Sequence, residues 1–494
     1  MLAATSRLVL KAVQPALARS SSSLATPRNY SIASSSSQTT VLDFEKHCEE
    51  SLHRITDYLD TFPEWLDCSS EFDVNFAMGV ITAKISPEVG TYVINKQSPN
   101  LQIWLSSPIS GPKRYDLRDK KWVYSHDNMI AATRRLCSMR SWQCESFGAE
   151  SLLKTRPTPE ISTPNDVLLK VKASSVNNID VMMRRGYGNE MFTRWRQLQY
   201  CQWEPPSRLP ITVGRDCSAV VEAVGGNVTR FKPGDEVIAV VEPIYQGTHA
   251  EYTIANEAYC APKPTNLSHV ECAALPYVAC TNWAALVSIA QIKPFQAHSQ
   301  RVLIHGGAGG MGTTAIQLLR AWGCEHIVAT CSADSFKTVK ELGAIPLDYS
   351  DAKIRDQIIA QGPFDVILDC VDTELARWSD TIMGIWRNSV HVSVVAPLLQ
   401  DTDRYGVNVG LLSTAIKHFT RSVESAVRGR WYSYAFFMPN SDCMSQLSTF
   451  LQEGQVKPII DEVFSFEEVP KAYEKVGQLK GRGKTVIDFE KSSN

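Results

Sequence analysis

Residues 301–323, RVLIHGGAGGMGTTAIQLLRAWG, decide how the larger part of this chain folds. Val302 to His305 form a short apolar, β-branched run that reads as a buried strand, and the residues from Met311 to Trp322 read as a helix. Between them stands G-x-G-x-x-G at Gly307, Gly309 and Gly312, with Ala308, Gly310 and Met311 in the intervening places. Glycine there permits a tight turn, lets the backbone approach a pyrophosphate and lets helix pack on strand, while the helix N-terminus offers unpaired N–H groups to phosphate. A glycine motif alone is weak. A strand before it and a helix after it predict a dinucleotide site.

Outward from this joint, strands at 327–330, 365–368 and 391–395 alternate with helical segments, the rhythm of a parallel sheet with crossover helices. The second strand ends Ala329-Thr330-Cys331-Ser332, small and uncharged where an NAD-preferring fold usually carries an acid against the ribose 2′-hydroxyl. Room for a 2′-phosphate predicts NADPH, with Lys337 and Tyr349 downstream as candidate phosphate contacts. Asp334 is expected to cap the next helix. Upstream, the Val-rich runs beginning at Thr163, Pro210 and Phe231 are punctuated by Gly and Pro and predict a small β-barrel.

The whole chain has 494 residues, too many for one core, so at least two domains are expected. Fifty Lys plus Arg against 52 Asp plus Glu leave a net charge of −2, which offers no global attraction to nucleic acid. No apolar run is long enough to predict a membrane span. Thirteen cysteines without a C-x-x-C pair point to a reducing compartment rather than to a disulfide framework or a zinc site. Residues 1–40 lack Asp and Glu, carry Arg7, Lys11, Arg19 and Arg28, and contain two serine runs, which predicts a mitochondrial transit peptide. A second acid-free basic patch, MIAATRRLCSMRSWQ from Met129, makes residues 129–150 either a basic linker or a second presequence.

From Val41 to Leu66, acidic residues interleave with Leu52, Ile55, Leu59 and Phe62 at helical spacing, predicting an amphipathic helix with an acidic exposed side. Alternating runs at 72–76, 80–85, 90–95, 102–106 and 122–125 follow, with turns at Gly79, Pro87, Pro99 and Ser110-Gly111-Pro112. The strings GTYVINKQSPNLQIWLSSPISGPKRYD (90–116) and WVYSHD (122–127) resemble the frataxin family over residues 42–128. The resemblance implies an α+β sandwich, loosely bound iron, and activation of iron–sulfur cluster assembly in the mitochondrial matrix, with a ferroxidase-type activity as a further expectation. Iron prefers oxygen ligands, and Glu45, Glu49, Asp57 and Asp60 are the candidates. By the same resemblance Asn95, Gln97, Gln102, Trp104 and Arg114 form the surface that meets a cysteine desulfurase and its scaffold, although alternation alone would place Trp104 in the core. The family's second long helix is missing after Asp127, so one sheet face is expected to lose its cover.

The strings SVNNID (175–180), PYVACTNWAAL (276–286) and KGRGKTVI (480–487) resemble the zinc-independent medium-chain dehydrogenase/reductase superfamily, its quinone oxidoreductases above all, over residues 142–494. This implies a GroES-like catalytic domain at 151–280, a Rossmann doubly wound parallel sheet inserted at 281–425, and completion of the catalytic domain by 426–494; the chain as a whole is α/β and multi-domain. Zinc alcohol dehydrogenases carry Cys and Gly-His-Glu where this chain has Asn177-Asn178-Ile179-Asp180 and Gly214-Arg215-Asp216. No zinc is expected, and hydride would pass directly to a quinone or enone.

The resemblance further implies Ala308, Gly310, Met311 and Gly312 at the pyrophosphate, with Ser332 and Tyr349 near the adenosine phosphate. It places Cys370 and Val394 beside ribose and nicotinamide, and Ala435, Phe437, Lys480, Gly481 and Arg482 around the cleft. Cys370 departs from the asparagine of near relatives. Tyr187 and Asn177 are the candidate catalytic groups, a packing role for Tyr187 being the alternative. The strip 191–203 is expected to lie over the cleft. A basic patch where the frataxin-like part loses its last helix is also what two neighbouring genes read as one would produce, and self-association is left open.

Overall fold

The computed structural model describes residues 41–61, 63, 69–86, 90–107, 111–118, 121–124, 138–199, 209–385 and 388–491. The chain divides into two compact units, 1–135 and 136–494, taken separately below. The transit-peptide segment, Phe62 and residues 129–137 of the second basic patch lie outside the described residues.

In the first unit helix α1 (Val41–Asp60) is followed by β1 (Asp73–Ala77), β2 (Val80–Ser86), β3 (Gly90–Gln97), β4 (Gln102–Ser107), β5 (Gly111–Arg118) and β6 (Lys121–Tyr124). The six strands form one antiparallel meander in sequence order. Phe44, Cys48, Leu52, Ile55 and Leu59 make a single stripe along α1 and are at most 1% exposed. They share a core with the alternate residues Ile81, Ala83 and Ile85 of β2, Tyr92 and Ile94 of β3, and Ile103 and Leu105 of β4. Full burial of each Leu or Ile contributes about 1.5–3 kcal/mol. Trp122 donates from Nε1 to Ser51 Oγ at 2.9 Å and meets the Phe44 ring edge-on at 5.7 Å, tying the last strand to the helix. These inward side chains are all 7% exposed or less. Of the turn read at Ser110-Gly111-Pro112, Ser110 lies outside the described residues and Gly111 and Pro112 open strand β5: Pro112 stands at the strand's second position, where a missing N–H costs little, and Arg114 to Leu117 continue the ladder.

The second unit opens with the hairpin β7 (Ser138–Gln143) and β8 (Leu152–Pro157). Residues 138–143 of the second basic patch thus form a strand of the second unit. Met139 and Trp142 are buried, Trp142 donates to the Phe466 carbonyl at 2.7 Å, and Arg140 pairs with Glu251 at 2.8 Å and Glu467 at 3.0 Å. Next come β9 (Asp166–Val176), β10 (Asp216–Val224), β11 (Glu236–Val240), β12 (Tyr252–Asn256) and β13 (Cys260–Pro262). They join β20 (Ile460–Ser465) and β21 (Lys484–Asp488) in a seven-stranded sheet ordered β13-β11-β10-β9-β21-β20, with β12 also on β9.

Between these two visits the chain builds a six-stranded parallel sheet, ordered β16-β15-β14-β17-β18-β19. Its strands are β14 (Arg301–His305), β15 (His326–Cys331), β16 (Ile345–Asp348), β17 (Val366–Asp369), β18 (Ser389–Ser393) and β19 (Arg430–Tyr434). One sheet is therefore inserted into the other. β19 extends the parallel sheet beyond residue 425, where the sequence reading ends that domain, because Arg430 is buried and its guanidinium bonds the carbonyls of Thr381 and Met383.

Candidate functional site

The glycine joint follows directly from β14. Gly306 turns the chain at φ +88°, and helix α5 (Gly310–Ala321) starts four residues later; the shorter helices named below are α2 (Asn178–Arg184), α3 (Asn189–Gln199) and α4 (Pro276–Trp283). A Cβ at Gly307 would lie 2.6 Å from Ala329 Cβ on β15, and one at Gly312 would lie 2.3 Å from the Gly306 carbonyl oxygen. Those two glycines are required by packing. Gly309 differs: a Cβ there would meet a single atom within 4 Å, the Gly306 carbonyl oxygen at an ordinary contact distance of 3.6 Å, so this position tolerates a methyl. No side chain caps the N-terminus of α5, which leaves its first-turn N–H groups available to an anion. Ala308 and Met311 flank Gly309 and Gly310 in this joint.

Ser332, Cys370, Val394 and Ala435 each immediately follow the last residue of β15, β17, β18 and β19. Four positions distant in sequence thus line the carboxyl ends of the parallel strands, where open α/β sheets bind ligands. Ser332 Oγ bonds Ser335 Oγ at 3.2 Å, and the Val394 and Ala435 amides donate to Asp369 and Ser393 at 3.0 and 2.9 Å. Burial pushes the Cys370 thiol far up, so it stays protonated. Phe437 stacks on Tyr277 of α4 with ring centroids 4.4 Å apart. Arg482 pairs with Asp334 at 2.8 Å, which brings the exposed segment Lys480-Gly481-Arg482 to the end of β15 near Ser332. Asp334 lies inside a short 3₁₀ turn (333–335) and makes this ion pair in place of the expected cap. Lys337 pairs along its own helix with Glu341 at 4.0 Å, and Tyr349 is exposed beside β15, its amide donating to Cys331 O at 3.3 Å.

Beneath the joint lies a buried polar network. Asn177, 5% exposed at the start of α2, donates from Nδ2 to Asp216 Oδ1 at 3.0 Å and Ser175 Oγ at 3.3 Å, while its Oδ1 accepts from Lys484 Nζ. Asp216 also accepts from Ser175 Oγ at 2.7 Å and from the Tyr277 amide at 2.9 Å. Asp180 accepts from the Asn177 and Gly214 amides and stands 3.8 Å from Arg215 Nε. Burial raises the pKa of both carboxyls and lowers those of Arg215 and Lys484, and the opposite charges offset part of each shift. Both ends of the Asn177 amide are engaged. Tyr187 is half-buried, and burial, with Asp403 adding to it, pushes its phenol up to about 12. It therefore holds its proton at neutral pH. Asp403 accepts from the Gly188 amide at 2.5 Å and the Glu190 amide at 3.0 Å, anchoring the start of α3; residues 200–203 of the expected cleft strip lie outside the described residues.

In the first unit, cross-strand pairing places Asn95 beside Trp104, Gln97 beside Gln102 and Trp104 beside Arg114. Ile103 and Leu105 point into the core, so Trp104 faces the other way. Its Nε1 donates to Gln102 Oε1 at 2.8 Å, Gln102 Nε2 donates to Asp116 at 2.8 Å, and Arg114 lies 4.4 Å above the indole. Glu45 is not an open iron ligand: it accepts from Lys96 Nζ at 2.6 Å and Ser98 Oγ at 2.8 Å, contacts that hold its pKa down. Glu49, Asp57 and Asp60 are exposed, and among the described residues no group of three or more His, Cys, Asp or Glu side chains is disposed to hold a metal.

Three domain families match the chain: the frataxin-like domain at residues 37–138, the alcohol dehydrogenase GroES-like domain at 163–265, and zinc-binding dehydrogenase at 342–487. Reticulon-4-interacting protein 1, mitochondrial, of Caenorhabditis elegans is 56% identical over 353 residues, covering 72% of this chain and 96% of that protein. The chain belongs to the reticulon-4-interacting protein 1 family. A human member, NAD(P)H oxidoreductase RTN4IP1, mitochondrial, is 36% identical over 71% of this chain and 89% of its own length. Among solved structures, the quinone oxidoreductase from Coxiella burnetii matches with a TM-score of 0.58 and 26% identity, over 72% of this chain and all of that one. Frataxin, mitochondrial, of Caenorhabditis elegans is 56% identical over 86 residues, 17% of this chain and 63% of that frataxin. This member of the oxidoreductase family thus carries a frataxin-like segment ahead of its medium-chain dehydrogenase/reductase fold.

Sequence reasoning quoted Gly214-Arg215-Asp216 and KGRGKTVI but gave no role to Asp216 or Lys484 as residues of the site. The available signal was a charged residue opening the apolar strand TVI, and an Arg-Asp pair opening the Val-rich run of β10.

Proposed function

We propose that the second unit is a mitochondrial NADPH-dependent reductase that passes hydride to a quinone or enone without a zinc ion. The observation that carries this reading is the glycine joint, where packing demands Gly307 and Gly312 and the α5 N-terminus carries no side-chain cap. Bound NADPH supplies the hydride. Ala308 to Gly312 hold its diphosphate, while Ser332 and Arg482 face the adenosine 2′-phosphate at the end of β15. The Tyr277–Phe437 stack walls the cleft against water. Tyr187, protonated at neutral pH, is the group placed to donate to an acceptor oxygen, and Asn177 orients the floor of the site. The zinc-free assignment rests on the donors: the Asp180 and Asp216 carboxylates are committed to backbone amides, Ser175 and Asn177.

The purified chain should bind NADPH with quenching of tryptophan fluorescence and consume it on addition of a quinone. Absence of binding at millimolar NADPH overturns the reading. Removing the guanidinium with Arg482→Ala should weaken NADPH about tenfold while leaving NADH nearly unchanged, since only the former carries the 2′-phosphate.

The ordered Trp104–Gln102–Arg114 array favours a second reading for the first unit, a docking surface for a cysteine desulfurase and its scaffold in iron–sulfur cluster assembly, with Glu49, Asp57 and Asp60 as the iron contacts. The full chain should then stimulate desulfurase turnover, and Trp104→Ala should lose most of that stimulation with the fold intact. Equal stimulation by both proteins would rule the surface out.

A further inference from the structure

Lys484 opens β21 and is 5% exposed, buried at the meeting of the two sheets of the second unit. Its stem lies along the glycine joint: a Cβ on Gly310 would stand 2.6 Å from Lys484 Cδ and 3.3 Å from Lys484 Cγ. An ammonium carries three N–H donors. Among the described residues, Asn177 Oδ1 is the one acceptor that Lys484 Nζ reaches, and no carboxylate comes within ion-pair distance. Asp216 and Asp180 act on it only through space. A buried cation with donors to spare is costly unless something completes its shell. The stem that carries this cation passes beside Gly310, in the first turn of α5.

We propose that Lys484 is a cofactor-binding residue whose ammonium, aimed by Asn177, contacts the phosphate and ribose oxygens of the nicotinamide half of the dinucleotide. The proposal rests on the dinucleotide reading above and adds to it the residue that locates the reactive half. The two halves are held from different sides. Arg482 reaches the adenosine end at Asp334, whereas Lys484 turns toward the floor formed by Asn177 and Asp216. Asn177 then serves as a positioning residue: Asp216 and Ser175 fix its amide, and its Oδ1 fixes the ammonium. A single strand end, Arg482 to Lys484, would clamp both ends of one ligand.

The test measures binding to the full chain of two probes, NADPH and adenosine 2′-monophosphate, which lacks the nicotinamide half. Lys484→Gln should raise the NADPH dissociation constant about 10- to 100-fold and leave adenosine 2′-monophosphate within about twofold of wild type. Lys484→Met, which keeps the apolar stem and drops the charge, should give the same two readings if the glutamine variant folds poorly. Lys484→Arg, which retains the charge, should recover part of the NADPH affinity. Unchanged NADPH affinity in the uncharged variants, or an equal loss for both probes, overturns the proposal. Wild-type protein that binds neither probe overturns the dinucleotide reading itself, so the two failures are distinguishable.

Discussion

Gly312→Ala is expected to abolish NADPH binding at concentrations that saturate the wild type, a loss of at least about 100-fold. The added methyl would meet the Gly306 carbonyl oxygen at 2.3 Å and Gly307 Cα at 2.6 Å. Both are backbone atoms, so no side chain can swing aside, and relief requires α5 to move off β14. Overpacking of this kind costs about 1–3 kcal/mol of stability, so the melting temperature should fall as well. Gly309→Ala provides the contrast. Its methyl would meet the Gly306 carbonyl oxygen at an ordinary contact distance of 3.6 Å but enters the space assigned to the cofactor, so binding should weaken with little change in melting. A fluorescence titration beside a thermal melt reads both effects, and a Gly312→Ala protein that binds NADPH normally would sink the assignment of this loop.

The second large effect is expected at Asp216. Asp216→Ala removes the acceptor for Ser175 Oγ, Asn177 Nδ2 and the Tyr277 amide, and takes away a charge that offsets Lys484. Breaking a buried charge network from one side costs about 3–5 kcal/mol, and denaturant unfolding of the second unit should show it. Asp216→Asn keeps the shape and part of the hydrogen bonding, so about 1–3 kcal/mol is expected there. An alanine variant as stable as wild type would mean that the network does not hold the floor of the site.

Local patterns were readable in advance, and pairings across long sequence distances were not. Gly307, Gly309 and Gly312 could be placed because a strand, a turn and a helix succeed one another within some twenty residues, each with its own periodicity. Ser332, Cys370 and Val394 came through the resemblance, and each stands one residue past the end of a strand of that rhythm. Lys484 was passed over because its partner Asn177 is 307 positions away, and nothing near either residue announces the other. Glu45 failed for the same reason: its helix face looked solvated, but Lys96 and Ser98 arrive from β3 and the turn after it. At Gly111-Pro112 and at Ser138–Gln143 local signals misled. Turn residues open a strand in one case, and a basic stretch becomes a strand in the other because Trp142 is buried and Arg140 finds two carboxylates. The half-buried, outward-facing tryptophan array on β4 was anticipated only through the resemblance, since alternation alone would have put Trp104 in the core.

The return of β20 and β21 to the sheet that β9 began has a consequence for synthesis. As the chain is made from its N-terminus, the parallel sheet is complete once β19 has emerged, while β9 still waits for β21 to pair with Ala173 to Val176. Until the last residues arrive, that stretch of a long, apolar strand presents a bare hydrogen-bonding edge, the kind that recruits strands from other chains. A messenger cut short before Lys484 would therefore yield a protein with an intact nucleotide fold and an adhesive flank, and its hallmark would be aggregation rather than quiet loss of turnover.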